Sequence, residues 1–235
     1  MQMLVRALAI VTALAGVSGA APLPALLDAL AANGRFPVPT RGVFTIQRIE
    51  NGIMYLESVL VIGHRQTLYL ELRNGFRALV RPGKMLVHGT ERVEVLKPGT
   101  KLGDTDFLVE DLMPVTRWLL KTPQVSDEGP TGTVVTGAPA HASTRALLVL
   151  TIDPEADTVT RTKYYEGSIS NLIGIRRDET FADVGGHRRP TQVVLERTAT
   201  GMTTTATITW QPVPDTSHEI FTLKGLGAKK SPITW

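Results

Sequence analysis

Asn51-Gly52 lies between two strand-length apolar runs, residues 43–50 and 53–62. No other feature restricts the folding of this chain so tightly. A two-residue type I′ turn needs positive φ at both central positions, which Asn and Gly tolerate and branched residues do not, so the two runs are expected to pair as an antiparallel hairpin. Asn74-Gly75 repeats the signal between 67–73 and 76–81, and Arg81-Pro82-Gly83-Lys84 returns the chain into 85–88. The turn residues at these spacings predict an antiparallel meander.

Side-chain alternation assigns faces. Leu68, Leu70 and Leu72 point to one side of their strand and Tyr69, Glu71 and Arg73 to the other, which predicts one wet face. The run 53–62 is apolar on both sides and is expected to be covered twice, either between a helix and another layer or with one face on an apolar cavity. Later runs at 145–153, 158–166, 170–181, 189–197, 202–211 and 219–222 read as further strands, each bounded by Gly or Pro turns. The stretch 122–142, rich in Gly, Pro, Ser and Thr, reads as a connection with one short strand at 133–136. Two amphipathic helices are expected. Residues 23–32 carry Leu23, Leu26, Leu27 and Leu30 at helical spacing before Asn33-Gly34. Asp111 is placed to cap a second helix over 112–120, with Leu112, Val115, Trp118 and Leu119 on one stripe. The class is mainly β, α+β.

The first twenty residues read as an export signal. Arg6 precedes an uncharged apolar stretch at 7–17, too short to span a bilayer, and Ser18-Gly19-Ala20 supplies the small residues of a cleavage site. Cleavage is expected near Ala20, leaving 21–235 as a single domain in the periplasm. The chain has no cysteine, which excludes disulfides, zinc–cysteine sites, iron–sulfur clusters, thiol catalysis and an N-terminal lipid anchor. Its 25 Lys+Arg against 22 Asp+Glu are scattered, without the dense stripe that tracks phosphates, so nucleic acid is not an expected partner.

Catalytic patterns are missing. The five histidines never fall at metal-ligand spacing, and there is no G-x-S-x-G elbow or phosphate-binding glycine loop. No metal and no cofactor are expected. Gly185-Gly186, followed by His187, Arg188 and Arg189, is either an anion cradle or a plain turn. The acidic cluster Asp104, Asp106, Glu110 and Asp111 is open to a hard cation or acid–base chemistry. It is equally open to a structural role at a helix N-terminus.

Residues 102–112, LGDTDFLVEDL, resemble the "GSDFSYEDL" signature of the outer membrane lipoprotein-sorting protein family, relatives of the periplasmic lipoprotein carrier LolA. Gly103, Asp106, Phe107, Glu110, Asp111 and Leu112 fall on the motif in register. The segments 82–86, 147–165, Arg189-Pro190-Thr191 and 220–226 extend the resemblance along most of the chain. Family members carry an arginine cluster before the motif, where this chain has Glu91-Arg92-Val93-Glu94.

The resemblance implies a strongly curved antiparallel sheet, an open LolA-like half-barrel covered by short helices around an apolar cavity. It implies a periplasmic carrier or chaperone, not an enzyme, that binds a lipid or the acyl chains of a lipoprotein and moves it toward the outer membrane. Its partners would be an inner-membrane lipid exporter and an outer-membrane acceptor, with the carrier a monomer. Leu56, Leu60, Leu68, Leu70 and Leu72 are the expected wall, and Leu26, Leu30 and Trp118 the expected lid. The motif residues are expected to hold the fold, with Phe107 buried and Asp106 or Glu110 paired with an arginine. The alternative is an exported enzyme or adaptor that uses Asp106 and Glu110, or His187 with Arg188.

Overall fold

The turn at Asn51-Gly52 has φ of 51° and 78° at its two residues. It joins β1 (Phe36–Glu50) to β2 (Ile53–Arg65), with Glu50 opposite Ile53 and Val43 opposite Leu60. A computed structural model describes residues 22–88, 92–112, 119–129, 132–228 and 231. The expected signal sequence and Trp118 lie outside them. β1 starts seven residues earlier than the sequence pattern indicates. Its register with β2 is interrupted between Phe36 and Thr40, where Pro37 and Pro39 cannot donate to a ladder.

The meander continues through β3 (Thr67–Leu72), β4 (Arg77–Arg81), β5 (Lys84–His88) and β6 (Val93–Val95). After a loop and a 3-10 turn at Val109–Leu112 come β7 (Leu120–Gly129), β8 (Gly132–Pro139), β9 (Arg145–Asp153) and β10 (Thr158–Glu166). Then follow β11 (Leu172–Asp183), β12 (Arg188–Arg197) and β13 (Thr203–Pro212). All thirteen strands form one antiparallel sheet in the order β6-β5-β4-β3-β2-β1-β13-β12-β11-β10-β9-β8-β7. It consists of two meanders joined at the β1–β13 ladder, from Thr40 opposite Pro212 to Arg48 opposite Thr204. Its edges, β6 and β7, do not pair with each other, so the sheet is open.

The helix α1 (Leu23–Asn33) buries Leu26, Leu30 and Ala31 against one face of the sheet. That face carries the main core, including Val59, Val61, Leu70, Leu72, Leu150 and Ile208. The opposite face carries a smaller cluster of Ile62, Tyr69, Leu79 and Leu86 under Ile220, Phe221 and Leu226.

Several expectations are corrected here. The side of β3 bearing Tyr69 and Glu71 is dry: both are buried beneath the C-terminal segment, and the Tyr69 hydroxyl donates to Glu71 Oε2 at 2.8 Å. Burial, followed by that carboxylate, raises the Tyr69 pKa. Residues 219–222 do not add a strand. Ser217 and Thr222 accept the N–H groups of Glu219 and Gly225, starting a 3-10 turn at His218–Phe221 and the short helix α2 (Leu223–Leu226). β2 is covered on both faces only from Val59 onward; Ile53, Met54 and Leu56 are exposed. A helix does not reach Leu120, which opens β7, and most of the supposed connection at 122–142 is the β7–β8 hairpin.

Candidate functional site

The loop before the 3-10 turn folds tightly on itself. The Thr105 hydroxyl donates to Leu102 O at 2.7 Å and accepts Phe107 N–H at 3.2 Å, while Leu102 N–H donates to Phe107 O at 2.9 Å. This drives Leu102 and Phe107 into the main core. Gly103 sits at φ 58°, and a Cβ there would lie 2.8 Å from Glu57 Cδ, so the loop meets β2 through bare backbone.

Asp106 ties this loop to three strands. It accepts the Thr204 hydroxyl of β13 at 2.8 Å and forms ion pairs with Arg197 Nε of β12 at 2.6 Å and Arg48 of β1 at 4.0 Å. Residues 113–118, on which most of the expected second helix falls, lie outside the described residues; Asp111 itself sits inside the 3-10 turn. Its carboxylate accepts Leu108 N–H at 2.8 Å within the turn and Arg145 Nη1 at 2.6 Å from β9. Burial pushes the Asp111 carboxyl up, but the Arg145 guanidinium beside it outweighs burial and holds it below the usual carboxylate range. The carbonyl of Asp111 accepts Arg176 Nη1 at 2.7 Å, and Arg176 also pairs with Asp178. Arg145 lies 3.6 Å over the Tyr164 ring, and burial raises the Tyr164 hydroxyl pKa.

Beside these groups the sheet forms a half-open cavity of about 190 Å³ that reaches Gly34, just past the end of α1. Leu68 of β3 and Leu148 of β9 both line it. Those strands stand seven places apart in the sheet order. On a flat sheet that is about 34 Å, so the sheet must curl for one cavity to touch both. The face bearing α1 and the main core is therefore the concave one. Phe36, Phe44, Ile208 and Trp210 supply much of the apolar wall. Trp210 lies on Gly42 and Phe36 lies on Gly63: a Cβ at either glycine would stand 2.5 Å from the ring it faces. The indole N–H of Trp210 donates to Pro190 O at 2.8 Å, and its ring centroid is 5.6 Å from that of Phe44.

One end of the wall is polar. Glu110 accepts the Ser143 hydroxyl at 3.0 Å through Oε1, and His141 Nε2 stands 3.7 Å from Oε2. Glu110 Oε2 and Arg145 Nε are buried without a hydrogen-bond partner among the described residues. Elsewhere on the wall, Arg189 donates to the carbonyls of Asn33 and Arg35 at the end of α1, and burial pulls its pKa down to about 10.

No protein-family model matches the chain, and no curated protein does. Solved structures do. A DUF1329 family protein from Desulfovibrio piger superposes with a TM-score of 0.71 at 13% identity, covering 87% of this chain and 99% of its own. A putative outer membrane lipoprotein-sorting protein domain from Vibrio parahaemolyticus gives 0.70 at 10% identity, over 87% and 98%. A LolA superfamily protein from Nitrosomonas europaea gives 0.68 at 17% identity, over 86% and 98%. The fold is LolA-like.

Within the LolA-like sheet the expected wall residues separate. Leu68 lines the cavity, while Leu70 and Leu72 are buried in the same concave core, as are Leu26 and Leu30 of α1. Leu60 and Leu56 face the other way. Val59 stands opposite Leu72 and Val61 opposite Leu70, so the concave side of β2 belongs to the odd-numbered valines. Leu60, opposite Glu71, is buried on the convex side, and Leu56 is 62% exposed. Among the described residues no His, Asp or Glu group gathers that would hold a metal ion. The acidic cluster is divided instead: Asp106 goes to Arg197, and Glu110 and Asp111 go toward Arg145. The Gly185-Gly186 turn is closed by the Asp183 carboxylate, which accepts Gly186 N–H at 3.0 Å. Trp210, Phe36, Arg145 and Tyr164 were not legible as site residues, because only strand register brings them together.

Proposed function

We propose that this chain is a non-catalytic carrier, which takes an acyl chain of a lipid or lipoprotein into the concave cavity and moves it across the periplasm toward the outer membrane. The observation that supports this is the cavity itself, a half-open, largely apolar hollow in the concave face of a curled sheet, reaching Gly34 just past the end of α1. Each methylene moved from water into such a space gains about 0.8 kcal/mol. The 190 Å³ volume exceeds a dry cavity of about 150 Å³ that holds benzene but is smaller than pockets that take larger ligands. A full acyl chain therefore needs α1 to yield, which makes Leu26 and Leu30 the lid. Two neighbours, described as a lipoprotein-sorting domain and a LolA superfamily protein, fit the same reading. Among the described residues no helix is long and apolar enough to cross a membrane.

In this reading residues 1–20 are a cleaved leader and 21–235 act as a monomer between an inner-membrane donor and an outer-membrane acceptor. Purified protein should release lipid on solvent extraction, detected by mass spectrometry, and should enhance the emission of a fluorescent acyl probe. Absence of both signals would overturn the proposal.

A further inference from the structure

We propose that Gly42 sets the depth of the cavity, and with it the length of acyl chain that fits, by letting the Trp210 ring lie against bare backbone. This rests on the carrier reading and adds what limits its ligand. Gly42 stands opposite Trp210 across the β1–β13 ladder. It lies inside a strand and has no positive φ, and glycine there packs nothing and weakens the ladder, so the backbone gives no reason for it. The ring gives one. A Cβ at 42 would stand 2.5 Å from Cζ3, 2.8 Å from Cε3 and 3.0 Å from Cη2, all atoms of the six-membered ring of the indole.

Carbon atoms in ordinary contact stand about 3.5–4.0 Å apart, so a side chain at 42 must move the ring by about 1–1.5 Å. Its directions are limited. The backbone of β1 lies beneath it, and Phe36 and Phe44 flank it at centroid distances of 5.8 and 5.6 Å. Phe36 has no room to give way, because it is itself seated on Gly63 and the Arg189 guanidinium lies 4.2 Å over its ring. The indole N–H is held by Pro190 O at 2.8 Å, which pins the other edge of the ring system. The remaining side is the cavity, which the half-buried Trp210 lines together with Phe36, Phe44 and Ile208. A Cβ at 42 therefore lifts the ring into the ligand space, and removing the ring deepens that space.

The experiment is displacement of dansyl-undecanoic acid from the full chain by octanol, decanol, dodecanol and tetradecanol. Each methylene that enters the cavity should tighten binding about fourfold, up to the length at which the cavity is full. Gly42→Ala should reach that plateau at a shorter alcohol than the unaltered chain, and Trp210→Leu at a longer one. Gly42→Ala combined with Trp210→Leu should move the plateau back to longer alcohols than Gly42→Ala alone, because leucine lacks the three atoms that the Cβ strikes. An unchanged plateau in either single variant overturns this inference while leaving the carrier reading intact, and so does a combined variant that stays at the Gly42→Ala plateau. Should Gly42→Ala fail to fold, Trp210→Leu against the unaltered chain decides alone. No binding of the probe by the unaltered chain overturns both.

Discussion

Replacing Asp106 with Ala separates a motif that builds the fold from one that handles ligand. The carboxylate is 2% exposed and receives Thr204 at 2.8 Å and Arg197 at 2.6 Å, with Arg48 at 4.0 Å. Breaking a buried ion pair from one side costs about 3–5 kcal/mol when the other charge stays buried. Here it does not all stay buried. The Arg197 side chain is 43% exposed and can turn to water, and Arg48 keeps Glu50 at 3.2 Å. Those two losses are accordingly discounted to about 1 kcal/mol together. Thr204 is fully buried and loses its acceptor, which adds about 1–3 kcal/mol. The total is about 2–4 kcal/mol, and for a chain of this size each kcal/mol lowers Tm by roughly 2–4 °C. Asp106→Ala should therefore melt roughly 10 °C below the unaltered chain by circular dichroism, yet still bind an acyl probe at a temperature where it is folded. Asp106→Asn, which keeps an acceptor for Thr204, should lose less. A variant that melts within about 2 °C of the parent but no longer binds the probe would refute the structural account of the motif.

Three further outcomes follow from the geometry. Gly42→Val places a side chain where the Trp210 ring now lies, and the overpacking should cost about 1–3 kcal/mol and alter tryptophan emission, read by chemical denaturation and fluorescence. Asp111 has a depressed pKa, so its share of stability is complete above the unfolded value of about 3.9 and is lost as pH falls toward the folded value. Asp111→Asn should accordingly flatten the acid limb of a stability–pH curve below that point, and an unchanged limb would contradict the Arg145 pairing. Leu226→Ala, at a fully buried position on the convex face, should cost about 2–5 kcal/mol in a urea titration; a loss near zero would mean the C-terminal segment does not pack on Tyr69.

Local signals carried the strands and missed the faces. Asn51-Gly52 requires positive φ at two adjacent residues, a demand met within the turn, so the β1–β2 hairpin was legible. The face of Leu56 was not. β2 is apolar on both sides, so its pattern has no phase, and only pairing with β3 sets Val59 and Val61 inward. Tyr69 and Glu71 looked wet because what covers them, Ile220, Phe221 and Leu226, arrives some 150 residues later in the chain. β7 was missed for a different reason. It is an edge strand carrying Lys121, Gln124 and Ser126, and without an apolar alternation a strand at a sheet edge reads as a loop. Asp111 before Leu112 has the look of an N-cap, and its pairing with Arg145, 34 residues on, was not legible because only the fold brings the two together.

On the proposed carrier reading, these same features bear on how a small cavity would hold a long chain. α1 has eleven residues and no side-chain hydrogen bond at its N-cap, below the length at which a helix is stable alone, so its order depends on what it packs against. Its far end is tied down: Asn33 Nδ2 donates to Asp157 O at 2.9 Å, and Arg189 donates to Asn33 O at 2.6 Å. Its body is held mainly by Leu26 and Leu30, whose exposure would cost about 3–6 kcal/mol. An acyl chain of about twelve methylenes gains about 10 kcal/mol on leaving water. On that reading the exchange would favour the chain over the two leucines, and the tied end would make the motion of α1 a pivot instead of a release. The ionic wall around Arg145 would stay fixed in that motion, because its bonds among the described residues run to β9, β11 and the motif turn.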